Sequence, residues 1–194
     1  MEKIATEKFE QKEKPEMLYV SAQTKGIKEI IPMSGRHRGG NEGPIIFSTP
    51  DKGLASIFLV EGHNDSWMEI GTFGGVPYTV ICMKKEDFIK RDSGGSIYEV
   101  SSDTFDFNPN LGMGEKEWTS NTPVRPNNET EFPSALDAMI NNGAYVFFVD
   151  QETFKEIQKA DDHGFEILSS MTSENRRRNS NTQSFKQAVE SSYS

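Results

Sequence analysis

Glu117 and Trp118 stand together at the start of a short β-prone segment, residues 117–120, which ends before Pro123. A carboxylate beside a large aromatic side chain can be partly desolvated, and such a group is suited to stabilising positive charge or moving a proton. A glutamate on an edge strand is more often simply solvated. The pair alone therefore leaves both interpretations open.

A second candidate is basic. Arg36 and Arg38 flank His37 in a glycine-rich loop and form a basic cluster inside an acidic stretch of chain. The forked guanidinium donors of arginine match a phosphate or pyrophosphate, although exposed basic loops without a ligand are common. Residues 176–178 form another arginine run before Ser180, which indicates either a phosphorylatable serine or solvated charge.

Other site chemistries lack a supporting motif. The three histidines and the single cysteine never take the short spacing of zinc ligands. A serine or cysteine triad has no elbow motif. Gly71, Gly74 and Gly75 lack the Lys-Ser/Thr ending of a phosphate-binding P-loop, so they are interpreted as turn glycines.

The composition predicts one folded domain between two polar ends. The chain has 194 residues, 34% of them hydrophobic, and a net charge of −9. Residues 1–16 are highly charged and predicted to be flexible, and residues 172–194 are polar and predicted to be a disordered tail. Residues 17–171 then form a single domain.

Charge and hydropathy limit the partners. The acidic balance of residues 17–171 makes nucleic acid an unfavourable partner, because binding its backbone requires Lys and Arg. The sequence contains neither an eighteen-residue apolar run nor, in its first thirty residues, a secretory signal, so we expect a cytoplasmic protein without a membrane partner. A single cysteine fits a reducing compartment. The oligomeric state is left open.

The elements that must position these residues follow from local patterns. Thr49, Pro50 and Asp51 are typical of a helix start, with Thr49 as the predicted cap. Because strands outnumber helices without regular alternation, we expect an α+β fold. Strands are predicted at 17–21, 44–48, 78–83, 96–100 (with 104–107 as an extension), 117–120 and 144–149, and helices at 84–91, at 133–142, after Thr49 and, as the last helix, after Asp150.

Four segments in order resemble the ADP-ribosyltransferase fold. Residues 18–22 are similar to its first strand, and residues 46–58 to its second motif, a strand entering a helix that carries Ala55 and Phe58. Glu117 opens the third motif, which continues to Pro126, and residues 144–149 resemble the closing strand. Small bacterial or phage proteins show this pattern, with DarT-like toxins and RNA 2′-phosphotransferases more distant. The resemblance implies two small packed β-sheets with a few short flanking helices.

The resemblance also implies NAD as substrate and a role for each matching residue. Glu117 would be catalytic: it would hydrogen-bond the nicotinamide-ribose 2′-hydroxyl and stabilise an oxocarbenium-like centre as nicotinamide leaves. Phe58 would stack on nicotinamide. Arg36 or Arg38 would hold the pyrophosphate, on chemical grounds rather than by a motif match. The other cofactor-binding candidates are Tyr19, Ser21, Ser48, Thr49 and Trp118.

One position departs from the family pattern. Where the family places a histidine or arginine on the first strand, this chain has Val20, which cannot donate a hydrogen bond. Either Tyr19, Ser21 or Arg36 takes over that role, or the fold persists without the reaction. The sequence therefore predicts NAD-dependent transfer of ADP-ribose to a macromolecule or, alternatively, a catalytically degenerate module that binds a nucleotide or protein. RNA 2′-phosphotransfer is disfavoured by the acidic charge.

Overall fold

A computed structural model describes residues 13–33, 43–107 and 116–193 of the chain. Short strands and helices are interleaved in a mixed α/β fold. The strands are β1 (Met17–Ala22), β2 (Ile46–Ser48), β3 (Met68–Phe73), β4 (Val76–Ile81), β5 (Gly95–Ser101), β6 (Asp106–Phe107), β7 (Trp118–Ser120), β8 (Asn128–Phe132) and β9 (Tyr145–Phe148). The helices are α1 (Lys52–Ile57), α2 (Lys85–Arg91), α3 (Ala135–Asn141), α4 (Gln151–Lys159), α5 (Phe165–Ser170), α6 (Glu174–Arg178) and α7 (Phe185–Ser192).

The described strands form three sheets rather than the two expected. Their orders are β1-β5-β8, β2-β7-β6 and β3-β4-β9. The first two sheets are joined by one antiparallel bridge, in which the Tyr19 N–H donates to the Thr49 carbonyl at 2.8 Å and the Thr49 N–H returns the bond at 3.1 Å. Six strands therefore follow one another side by side, from β8 through β1 and β2 to β6.

Alternation along β1 gives this strand two different faces. Leu18 and Val20 are buried in a core cluster that also contains Tyr98 and Trp118. Because successive side chains of a strand point to opposite faces, Tyr19 and Ser21 lie on the other face. That other face packs against α1, since the Ser21 hydroxyl donates to a carbonyl of this helix.

The third sheet is built on a tight hairpin. β3 and β4 pair antiparallel, and the turn between them is formed by Gly74 and Gly75, whose φ angles are +53° and +80°. Two positive φ angles in a two-residue turn favour glycine, so these residues are turn glycines as predicted. β9 then pairs parallel to β4.

The C-terminal residues are folded, which differs from the predicted disordered tail. Phe185 and Val189 of α7 are only 2% and 4% exposed and belong to the core cluster around the third sheet. A few apolar residues are enough to hold α7 against the core, because they lie on one face of the helix and pack into an aromatic pocket. The Phe185 ring lies 5.3–6.1 Å from the rings of Phe73, Tyr78, Tyr145, Phe147 and Phe165.

The helix after β2 begins two residues later than predicted. Asp51, not Thr49, is the N-cap of α1, because its carboxylate accepts the Leu54 N–H at 3.0 Å. The Thr49 hydroxyl instead accepts the Asp51 N–H at 3.1 Å, because the Thr49 backbone still pairs with Tyr19 of β1. Asp150 caps α4 as predicted, but α4 is followed by three further helices. No helix within the described ranges is long and apolar enough to span a bilayer.

Candidate functional site

Tyr19 and Thr49 are bridge partners on neighbouring backbones, and Glu117, the residue directly before β7, is placed beside them by extending the strand register. Tyr19 pairs with Thr49 directly. The β2–β7 register pairs Ser48 with Trp118, so continuing it by one residue sets Thr49 opposite Glu117. Opposed residues of antiparallel strands point to the same face. We call these three residues and Glu99, the β5 partner of Tyr19, the Tyr19 row.

Lys52 of α1 lies over one end of the Tyr19 row. Its ammonium nitrogen is 5.5 Å from the centre of the Tyr19 ring and 3.5 Å from a carboxylate oxygen of Glu99. A cation at this distance from an aromatic face is attracted by the ring, and the carboxylate holds it there. The arrangement places a positive charge beside a half-buried phenol on the α1 face of the sheet.

Lys116 lies at the other end of the row, directly before Glu117. Its ammonium group donates to the carboxylate of Asp51 and to the carbonyl of Gly75. Lys116 and Asp51 are each 20% exposed, so their ion pair is largely withdrawn from water. One lysine therefore connects the start of β7, the N-cap of α1 and the β3–β4 turn.

The hydroxyl groups near the row are already used within the protein. Ser21 donates to the Ala55 carbonyl at 2.5 Å, and Thr49 accepts the Asp51 N–H. Of Tyr19 and Ser21, the two described candidates for the role missing at Val20, Tyr19 is therefore better placed to meet a ligand on this face.

Ser48 and Trp118 lie on the opposite face of the sheet from the row. Both are buried, and the Ser48 hydroxyl donates to the Trp118 carbonyl at 3.1 Å. The Trp118 ring packs 5.7 Å from that of Phe107. These two predicted cofactor-binding residues therefore lie on the other face from Thr49, because Ser48 is adjacent to Thr49 in the chain and Trp118 is the strand partner of Ser48.

Phe58 is also set apart from the row. α1 runs alongside β1, since Ser21 bonds to Ala55 and Gln23 to Leu59 at 3.2 Å. Phe58, directly before Leu59, therefore lies toward the Gln23 end of β1, although Tyr19 and Phe58 both pack against the same core cluster. Its ring makes an edge contact with His63 at 5.7 Å and packs on the core beneath α1.

A cavity of about 150 Å³ lies near Phe58 rather than on the Tyr19 row. Leu59, Trp67 and Phe88 are among its lining residues. Arg36 and Arg38, the predicted pyrophosphate ligands, lie outside the described residues. Within the described ranges, no group of three metal-ligating side chains converges.

The charged residues that sequence reasoning missed are Glu99, a member of the row, and its neighbours Lys52 and Lys116. The signal that pointed nearest to them was Asp51, which was recognised as part of a helix start. That Asp51 would also bind Lys116 depends on a contact across 65 residues of sequence. No local sequence pattern predicts this contact between Asp51 and Lys116.

Comparison of the chain with protein-family models, curated proteins and solved structures finds no match. The function is therefore argued from the geometry of the Tyr19 row.

Proposed function

We propose that the Tyr19 row is the site of an NAD-dependent ADP-ribosyltransferase. The observation that supports this proposal is the bridge between Tyr19 of the first motif and Thr49 of the second, together with the β2–β7 register, which ends one residue from Glu117 of the third. The three motifs are distant in sequence, at residues 18–22, 46–58 and 117–126. A common site requires that the fold bring them close together.

The proposed reaction uses few protein groups. The bond between nicotinamide and C1′ of the ribose breaks, and nicotinamide leaves with the bonding electron pair. A nucleophilic atom of the acceptor macromolecule bonds to C1′ and releases its proton. Glu117 stabilises the positive charge that develops on the ribose, because a fixed carboxylate in a partly desolvated site acts strongly on such charge.

The remaining groups of the row suit binding rather than chemistry. The Tyr19 ring offers a flat face and a hydroxyl, and the ammonium group of Lys52 lies beside it. A phosphate of the dinucleotide would gain a charge-assisted hydrogen bond from Lys52, which would then exchange its partner Glu99 for the ligand.

The test is transfer of label from NAD to proteins or nucleic acids of a cell lysate. The wild-type chain should label a target, and Glu117→Gln, which keeps size but removes the charge, should not. Glu131→Gln is the matched control, because Glu131 is an exposed residue of β8 whose carboxylate pairs with Lys25 at the surface. No labelling by the wild type, or equal labelling by Glu117→Gln, contradicts the proposal.

A second candidate function is a non-catalytic module that binds a nucleotide or protein on the same face. The observation that favours it is the engagement of Ser21 with Ala55 and the burial of Val20 on the opposite face, which leave the first strand with Tyr19 alone as a polar contact. A module that only binds its ligand does not need the histidine or arginine that is missing at Val20.

Thermal unfolding with NAD, ADP-ribose and nicotinamide tests the nucleotide form of this second function. A ligand present at about one hundred times its dissociation constant stabilises the folded chain by roughly 2.7 kcal/mol. Stabilisation by NAD without any nicotinamide release supports the module over the enzyme. No shift with any of the three ligands rejects nucleotide binding.

A further inference from the structure

Lys116 is the residue through which the segment entering β7 is held in place. Its ammonium group contacts two elements far apart in sequence, the carboxylate of Asp51 and the carbonyl of Gly75. The first belongs to the N-cap of α1 and the second to the β3–β4 turn. Glu117 is the next residue in the chain, so its backbone directly follows the attached residue.

We infer that Lys116 is a positioning residue that fixes Glu117 in the Tyr19 row. The inference rests on the proposed function for its catalytic meaning, but the attachment itself is a property of the fold. β7 has only three residues, and its backbone is paired with β2 and β6 from Trp118 onward. Those strand pairs start one residue after Glu117, and the contacts of Lys116 with Asp51 and Gly75 attach the chain on the other side of Glu117.

The Asp51 carboxylate is held in one orientation and so fixes the direction of its contact with Lys116. One of its oxygens accepts the Leu54 N–H at 3.0 Å and the other accepts from Lys116. A carboxylate with both oxygens engaged cannot rotate freely, so it presents a fixed acceptor to the lysine. Movement of Lys116 would therefore require breaking contacts with α1 and with the turn together.

The position of Glu117 matters because displacement of a reacting group by about 1 Å can cost on the order of a hundredfold in rate. Losing the Lys116 attachment should thus lower the turnover number while leaving the affinity for NAD unchanged, since the ammonium group of Lys116 contacts Asp51 and Gly75 rather than Tyr19, Thr49 or Lys52. A residue with a merely structural role would lower stability without separating turnover from affinity.

The experiment compares Lys116→Met, which keeps the stem and removes the charge, with Lys116→Arg, which keeps the charge. Lys90→Met is the matched control, because Lys90 pairs with Asp87 at 2.8 Å on the exposed face of α2. Two quantities are measured for each variant: kcat and KM for nicotinamide release from NAD, and hydrogen exchange of the backbone amides of residues 117–120.

The inference predicts that Lys116→Met lowers kcat roughly 10- to 100-fold, changes KM less than twofold and accelerates exchange at 117–120. Lys116→Arg should restore both readouts at least in part, and Lys90→Met should leave both unchanged. Unchanged exchange in Lys116→Met overturns the inference, and so does faster exchange with wild-type kcat. If the wild-type chain releases no nicotinamide, the proposed function fails, and the exchange data alone then support or overturn the placement of the segment by Lys116.

Discussion

The backbones of Tyr19 and Thr49 exchange two hydrogen bonds, of 2.8 and 3.1 Å, across an isolated bridge between β1 and β2. This bridge joins two three-stranded sheets and places the first two motifs of the resemblance side by side. It also decides which side chains share a face, because the pairing sets Tyr19 and Thr49 on one side and their neighbours Val20 and Ser48 on the other.

The C-terminal helix should contribute substantially to stability. Replacing Phe185 with alanine removes a ring that is 2% exposed and packed among five aromatic side chains, so we expect a loss of about 3–5 kcal/mol in the free energy of unfolding. Urea denaturation measures it. Tyr193→Ala is the control, since that side chain is 75% exposed, and an equal effect of both substitutions would contradict the packing of α7.

Gly53 should tolerate no side chain despite lying in a helix. Alanine usually favours a helix over glycine by about 1 kcal/mol. At this position a Cβ would lie 2.7 Å from the Asn142 carbonyl oxygen, a backbone atom that cannot move aside cheaply. Gly53→Ala is therefore expected to destabilise the fold by about 1–3 kcal/mol.

Thermal denaturation of Gly53→Ala beside Gly43→Ala checks this prediction. A Cβ at Gly43 meets no atom within 4 Å. A Gly53→Ala protein that melts at or above the wild-type temperature would show that α1 and the residues after α3 are farther apart than the structure has them.

Glu129 should make stability depend on pH in the acid range. Its carboxylate accepts the Gly26 N–H at 2.8 Å, together with the hydroxyls of Ser96 and Tyr98, and these bonds lower the pKa of Glu129, the Gly26 bond most. A group whose pKa is lower in the folded state stabilises the fold above its unfolded pKa, which is about 4.3 for Glu. That contribution is lost as pH falls through the folded pKa.

Urea midpoints measured between pH 7 and pH 3 test this dependence. The wild-type midpoint should fall more steeply below about pH 4.3 than that of Glu129→Gln, which cannot titrate. Glu131→Gln, two residues along the same strand and exposed, should follow the wild type. Parallel curves for the wild type and Glu129→Gln would remove Glu129 as the cause.

The Asp51 cap should couple to Lys116. Asp51→Ala removes both the N-cap of α1 and the partner of Lys116, so we expect a loss of about 1–2 kcal/mol, in line with other helix caps. In a double-mutant cycle with Lys116→Met, the two losses should be less than additive, because each variant breaks the same ion pair. Additive losses in urea denaturation would show that the two side chains act independently.

The sequence predicted elements where the signal was local. β1, β5, α3 and β9 lie close to their predicted positions because each has its own apolar pattern and flanking turn or cap. β3 and β8 were missed, since Gly71 weakens the first and polar residues fill the second. Residues 104–107 were expected to extend β5, but Asp106 and Phe107 form β6 and pair with β7, which depends on a contact between distant segments.

The candidate site was predictable in part. Glu117, Tyr19 and Thr49 were identified from motif order, yet the separation of Ser48, Trp118 and Phe58 from them follows from strand alternation and from the direction of α1. The folded tail was missed because composition averages over residues 172–194 and hides the apolar spacing of α7. Lys52 and Lys116 are ordinary surface-type residues in sequence, and only tertiary contacts give them a place in the site.

The most direct test of the central claim is the rate of nicotinamide release from NAD by the purified chain, with a lysate macromolecule or water as the acceptor of the ADP-ribosyl group and with Glu117→Gln and Glu131→Gln measured beside it. Release by the wild type and by Glu131→Gln, with a loss of roughly a hundredfold or more in Glu117→Gln, is the result we predict, because the carboxylate acts on developing charge. Equal rates for Glu117→Gln and the wild type would contradict the assignment of the Tyr19 row as the site of ADP-ribosyl transfer.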